Sequence, residues 1–375
     1  MTEKNHDPIA GSGHSFCLTT AGIIASCFLG ERTPGASCNI YNWGTREVRR
    51  IGRVLLFCTA GLLVLLAVAI TFTIGWRPFI GPRVRATNNR QFERTPERLA
   101  RGKYLVQGVL SCEVCHSPSD WAQHGAPSVA GMELAGQTLP LAGFPGTAVS
   151  PNITPDSETG AGGWTDDQLA RAIREGIKHD GSTIFPLMPY FEFKYLSDED
   201  LASVVVYVRS VPPVHNPLPA SKIHFPVNLL VQGVPTPVTT PVPPPGNDQL
   251  ARGKYLVRVG CGCHNAVDKM PYAGGEALGG SWGSVVSANI TPDASGISYY
   301  SEQTFITALR TGYVGARKLN SIMPFGEFRN LTDDDLKAMY AYVRTLQPVK
   351  HRVDNTLVAT YCKLCKQKHG AGEEN

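Results

Sequence analysis

Apolar and polar positions alternate in three regimes along the chain. Val54 to Ile74 (VLLFCTAGLLVLLAVAITFTI) is 21 residues without a charge, long enough for one helix to cross the hydrocarbon core of a bilayer. A cleaved signal peptide is disfavoured by that length and by the missing small-x-small site before Trp76, and a buried core helix would show a polar stripe. Residues 51–76 are therefore expected to be a transmembrane anchor. Arg46, Arg49, Arg50 and Arg53 precede it against Arg77 and Arg83 beyond it, which predicts a cytoplasmic N-terminus, with Trp43 and Trp76 as interface anchors. From Arg98 the apolar spacing turns helical, and the pattern then occurs twice. Leu99-Ala100-Arg101-Gly102-Lys103-Tyr104-Leu105-Val106 returns unchanged as Leu250 to Val257, Asn152-Ile153-Thr154-Pro155-Asp156 as Asn289 to Asp293, and Met188-Pro189-Tyr190 as Met323-Pro324-Phe325. Each repeat closes on an amphipathic helix, Leu196 to Arg209 and Leu331 to Arg344. Ser197 and Thr332 are its expected N-caps, with an acid three residues later in the capping-box arrangement.

The repeats predict two homologous, mainly α domains at 90–215 and 248–350. Eleven prolines between Val211 and Asn247 forbid regular helix there, so 216–247 reads as a semi-rigid linker that holds the domains apart or wraps over one of them. Residues 1–50 show no sustained period and are assigned no fold. They contain Cys17, Cys27 and Cys38; Ile24-Ala25-Ser26-Cys27 has the look of a lipoprotein box, but its apolar run is short and no basic start precedes it. Val48 is an alternative translational start. Residues 351–375 form a polar tail.

Composition changes little. A net charge of +4 is too small and scattered to imply nucleic acid, and ten cysteines without regular spacing are not a disulfide framework. The chemistry lies in Cys112-Glu113-Val114-Cys115-His116, the C-x-x-C-H spacing of covalent haem attachment. One helical turn puts Cys112 and Cys115 on the side of His116, so two thioethers hold the porphyrin edge while the imidazole binds iron. A zinc half-site is the competing reading, and no second Cys/His pair at zinc spacing lies nearby. The second copy is irregular: Gly260-Cys261-Gly262-Cys263-His264 keeps Cys263 and His264 but displaces Cys261 by one residue, so attachment through Cys263 alone is expected. Met188 and Met323, 72 and 59 residues beyond their histidines and each before a proline, are the expected sixth ligands. Met270, six residues after His264, reads as packing.

The G-K-Y-L lead-in, C-x-x-C-H, N-I-T-P-D, the stretch Trp164 to Gly176 and M-P-Y/F followed by L-S/T-D-x-D-L resemble class I cytochrome c domains. More narrowly they resemble the multihaem cytochrome subunits of membrane-bound alcohol and gluconate dehydrogenases. The resemblance implies a helical fold whose first and last helices cross near Gly102 and Gly253, His/Met iron, and electron transfer without chemistry on a substrate. Those subunits carry three haem domains, whereas two are found here.

The expected protein is a membrane-anchored dihaem carrier in the bacterial inner membrane. Its haem domains face the periplasm, where covalent haem is attached. It moves electrons between a quinol-oxidising complex or dehydrogenase and a terminal acceptor, with redox proteins and the membrane as partners and no small-molecule substrate. A dihaem peroxidase is the alternative; it would need an open iron and an acid/base group, for which His124, His179 and His215 are available. A haem subunit with a mainly structural role in a respiratory or photosynthetic assembly is a third reading. In the tail, Cys362-Lys363-Leu364-Cys365-Lys366 resembles the C-x-x-C-K attachment motif of pentahaem nitrite reductases. His369 lies close behind, and only nine residues follow Lys366, so a disulfide, a metal contributed partly by a neighbour, or a docking tail is favoured over a third haem.

Overall fold

The computed structural model describes residues 45–265, 270–353 and 355, and the short paired strands 17–18, 24–25, 360–361 and 368–369. The cysteines at 27, 38, 362 and 365, and Lys366, lie outside the described residues, as do the side chains of Cys17 and His369. The chain forms two units, Met1–Gly75 and Trp76–Asn375.

The first unit carries helix α1, Thr45–Phe72. Its stretch Glu47–Phe72 is long and apolar enough to cross a membrane. The helix starts nine residues before the uncharged run, because Arg49, Arg50 and Arg53 are good helix formers that need not be apolar to continue it. It stops two residues short of Ile74: the Gly75 N–H bonds Ile70 O at 2.7 Å and Gly75 turns left-handed at φ 68°.

The second unit holds both repeats. In the first, α2 (Pro96–Tyr104) runs through a π turn, Leu105–Val109, into the short motif helix α3 (Cys112–His116). Helices α4 (Asp166–Glu175), α5 (Tyr190–Phe193) and α6 (Asp198–Val208) follow. The second repeat supplies α7 (Gln249–Gly260), a hairpin of Ala277–Gly280 with Gly283–Val286, α8 (Glu302–Thr311), α9 (Phe325–Phe328) and α10 (Asp333–Val343). Gly102 and Gly253 show why the lead-in is invariant between repeats. A Cβ on Gly102 would lie 2.0 Å from the Ser203 carbonyl oxygen, and one on Gly253 1.9 Å from that of Ala338. Only glycine lets α2 cross α6, and α7 cross α10, at backbone contact.

Leu105, Val106, Phe193, Leu196 and Val204 of the first repeat share one hydrophobic core with Leu256, Val257, Phe328, Leu331, Leu336 and Met339 of the second. Each such side chain contributes about 2 kcal/mol of burial, so the repeats pack against each other within one unit. The segment 216–247 wraps over the first repeat rather than spacing the two. Asn216 Nδ2 donates to Ala135 O at 2.9 Å, Lys222–Ile223 pairs with Gly146–Thr147, and the Asp198 N–H reaches Val242 O at 2.9 Å.

Ser197 and Thr332 cap α6 and α10, accepting from the backbone N–H groups of Asp200 and Asp335. The expected box is not closed, because the two acids turn away to Arg101 and Arg252. The reciprocal box is built instead at Thr165 and Gln168, opening α4.

Candidate functional site

His116 and His264 occupy matching places. They are 8 % and 9 % exposed, and each Nδ1 meets a backbone carbonyl, Pro151 O at 2.9 Å and Ala288 O at 2.6 Å. A carbonyl can only accept, so Nδ1 carries the hydrogen and Nε2 keeps its lone pair for a metal. Burial pushes both imidazoles below their ordinary value, with the carbonyl bonds opposing, and the neutral form is the ligating one.

Pro151 and Ala288 were not singled out by sequence, yet a signal stood beside them: each immediately precedes the repeated N-I-T-P-D. Asn152 Oδ1 accepts from the backbone N–H and hydroxyl of Thr154 at 3.0 and 2.8 Å, while its Nδ2 donates to Val214 O at 2.7 Å. Asn289 does the same with Thr291 and Val349 at 2.9, 2.8 and 2.8 Å. The motif thus ties the chain beyond the last helix to the loop whose carbonyl orients the histidine.

Cys112 and Cys115 lie on α3 one turn apart, both half-buried. Burial, with smaller contributions from Cys115, Glu113 and Glu327, pushes the Cys112 thiol far up; burial and the neighbouring Cys263 push Cys115 up to about 11. The two motifs therefore approach each other across the repeat interface. In the second motif Cys261 is buried and Cys263 exposed. Cys261 closes α7, its N–H bonding Val257 O at 3.0 Å, and packs into the shared core.

Met188 and Met323 sit on equivalent loops just before α5 and α9, partly buried against the shared core. The following aromatic ring, Tyr190 or Phe325, occupies the space where a Cβ on Gly176 or Gly312 would stand, 2.5 Å away. Both glycines end their helices at φ near +70°. The Tyr190 hydroxyl is buried with no hydrogen-bond partner among the described residues. Two neutral imidazoles with free Nε2, two thioethers on matching loops, three thiols and an orphaned donor beside Met188 form a donor set that fits covalently held haem.

The histidines weighed for acid/base work have structural partners. His124 Nε2 lies 2.8 Å from Thr311 O and its ring stacks on Phe325, His179 stacks on Trp164, and His215 stands beside Asp156 and Glu158.

Across the interface the repeats clasp each other reciprocally, which sequence reasoning did not find. Tyr104 donates to Asp335 Oδ2 at 2.5 Å and Tyr255 to Asp200 Oδ2 at 2.7 Å. The same hydroxyls accept the N–H groups of Thr332 and Ser197 at 3.2 and 3.1 Å.

No family model matches the chain. Among curated proteins it is 32% identical over 282 residues to the alcohol dehydrogenase (quinone), cytochrome c subunit, of Gluconobacter oxydans, covering 67% of this chain and 55% of that protein. It is 29% identical over 304 residues to the fructose dehydrogenase cytochrome subunit of Gluconobacter japonicus, covering 74% and 58%. To a diheme cytochrome c-type protein of Cereibacter sphaeroides it is 31% identical over 164 residues, covering 41% and 52%. The chain thus spans a little over half the length of the relatives it matches. It is homologous to the cytochrome c subunits of alcohol, fructose and gluconate dehydrogenases and belongs with them to the c-type cytochromes.

Proposed function

We propose that the chain is a membrane-anchored dihaem cytochrome that relays electrons from a dehydrogenase or quinol-oxidising partner to a terminal acceptor. Two class I cytochrome c domains, 90–215 and 248–350, stand in the periplasm behind a single inner-membrane span at residues 51–76. The carrying observation is the duplicated histidine whose Nδ1 is committed to a carbonyl, matched by a methionine on the equivalent loop of each repeat. The homologues are electron-transfer subunits, and their names supply the dehydrogenase partner.

Bound haem supplies one-electron exchange between ferric and ferrous iron. In this reading Cys112 and Cys115 hold the first macrocycle and Cys263 the second. His116 and His264 would each supply an imidazole to an iron, with Pro151 and Ala288 fixing ring orientation. Met188 and Met323 would supply the thioether ligands, which would close the iron to small molecules and favour its ferrous state. Replacing either methionine by alanine should leave a full complement of two haems by pyridine haemochrome, convert one to a high-spin or water-ligated form, and admit carbon monoxide there alone. Stoichiometric carbon monoxide binding by the unaltered protein, with peroxide turnover, would refute the carrier reading.

A further inference from the structure

The two repeats build related interfaces in which one carboxylate, paired on one side, is left unpaired on the other. Glu192 on α5 and Glu327 on α9 are counterparts, each four residues beyond its methionine. Glu192 is 4 % exposed and neutralised: Arg258 Nε donates to it at 2.9 Å and Asn265 Nδ2 at 3.2 Å, while the Arg258 guanidinium lies 3.9 Å from the centre of the Tyr195 ring. The position equivalent to Arg258, three residues after the shared tyrosine, is Gln107 in the first repeat. Gln107 brings no charge, and its amide donates to Glu113 Oε1 at 2.8 Å.

Glu327 therefore faces Glu113 across a crevice of about 260 Å³ that Gln107, Glu133, Arg329 and Asn330 also line. Among the described residues nothing donates a side-chain hydrogen bond to its carboxylate. Glu113 has no counterpart, since Cys261 stands three residues before His264. The charged and titratable groups facing Glu327 are thus Glu113 and Cys112 from α3, the exposed Glu133 from the following loop, and exposed Arg329 on its own segment. Burial and Glu113 together push Glu327 up to about 7, with Arg329 opposing. The charges of Glu113 and Glu327 are felt at the Cys112 sulfur. At the second site Cys261, pushed up to about 12 by burial and Cys263, feels no carboxylate, and the one felt at Cys263 is Glu276, which is exposed to water.

Given the two-haem reading, we infer that Gln107, Glu113 and Glu327 hold the first haem at a lower reduction potential than the second and couple its reduction to uptake of one proton. Uncompensated carboxylates beside the first site favour the ferric charge. When an electron arrives from the donor protein, Glu327 takes a proton from water, and the local charge is unchanged. At the second site Arg258 already cancels Glu192, so no proton need follow.

The test is spectroelectrochemical titration of the full, haem-loaded chain between about pH 5.5 and pH 8.5, with each haem assigned through the Met188→Ala and Met323→Ala variants. At fixed ambient potential the reduced-to-oxidised ratio of the first haem should fall up to tenfold per pH unit above neutrality, which is 59 mV for one electron, while the second stays level. Glu327→Gln should abolish the slope and raise the ratio. Gln107→Arg, which restores the missing pair, should do the same without removing a carboxylate, and Arg258→Gln should create a slope at the second haem. Redox-difference infrared spectra should show a protonated-carboxyl band on reduction that Glu327→Gln deletes. Level profiles at both haems, or a first-haem slope that survives both Glu327→Gln and Gln107→Arg, would overturn the inference and leave the dihaem reading intact. A haem count other than two would overturn that reading itself.

Discussion

Replacing Tyr104 by phenylalanine removes one hydroxyl with two bonds, the donation to Asp335 at 2.5 Å and the acceptance from the Thr332 N–H at 3.2 Å. Asp335 is 1 % exposed, and it keeps both contacts to Arg252, so no charge is left bare. The loss is then that of one charge-assisted hydrogen bond, about 2 kcal/mol. Tyr255→Phe removes the mirror image, and there Asp200 keeps Arg101 at 2.7 and 2.8 Å. In a unit of this size about 1 kcal/mol moves the midpoint by about 2 °C, so each variant should melt about 4 °C lower. The clasps are neighbours, since Arg101 senses both Tyr255 and Asp335, and each closes the same interface. The double variant should therefore fall short of the sum by more than about 0.5 kcal/mol. Urea unfolding of the four proteins in a double-mutant cycle measures this, and hydrogen exchange at α6 and α10 locates it. A single-variant loss below about 0.5 kcal/mol, or strict additivity, would refute the clasp.

Gly102→Ala and Gly253→Ala each drive a methyl into a backbone carbonyl at 2.0 and 1.9 Å, and should cost about 3 kcal/mol or more by urea unfolding. Glu327, raised to about 7 from 4.5, holds in the folded state a proton that the unfolded chain releases earlier. Stability should therefore fall as pH rises from about 4.5 to 7 and level off above, by at most about 3 kcal/mol, and Glu327→Gln should flatten that slope in thermal melts. Cys261→Ala should leave the second haem attached, with its α-band to the red of the first, whereas Cys263→Ala should release it; haem-stained gels and pyridine haemochrome spectra decide.

The long apolar helix, the duplication and the motif helix were legible because each is written locally. The uncharged run Val54 to Ile74 marks the long helix, eight identical residues mark the crossing glycines, and C-x-x-C-H needs only one turn of helix. What escaped was written across the repeats. Asp200 and Asp335 look like capping acids because the fourth residue of a box is an acid or amide. Their true partners, Tyr255 and Tyr104, lie 55 and 231 residues away, and no local period joins them. The proline-rich segment was legible as non-helical, but where it lies depends on Asn216, His224 and Val242 meeting first-repeat backbone. Arg85 was equally silent: it bonds Asp167 and Glu175 from a stretch with no period of its own, and fastens α4 to the chain entering the first repeat.

The irregular second motif follows from length rather than from a stray substitution. Leu99 stands 17 residues before His116, whereas Leu250 stands only 14 before His264. The first repeat spends its additional three residues on the π turn and on Ser111, held at φ 49°, which together redirect the chain into a separate motif helix. Without them α7 runs straight to Gly260, where a Cβ would lie 2.9 Å from Val109 O of the other repeat, and Cys261 falls in register with Leu110 rather than with Cys112. It accordingly does the work of Leu110. Each caps its helical run, each is 8 % exposed, and both belong to the shared core. Cys261 is thus buried in that core, whereas Cys263 is exposed. The close approach of the repeats and the burial of Cys261 are then two consequences of one shortening, since the residues that would carry Cys261 outward are those that would hold Gly260 off Val109.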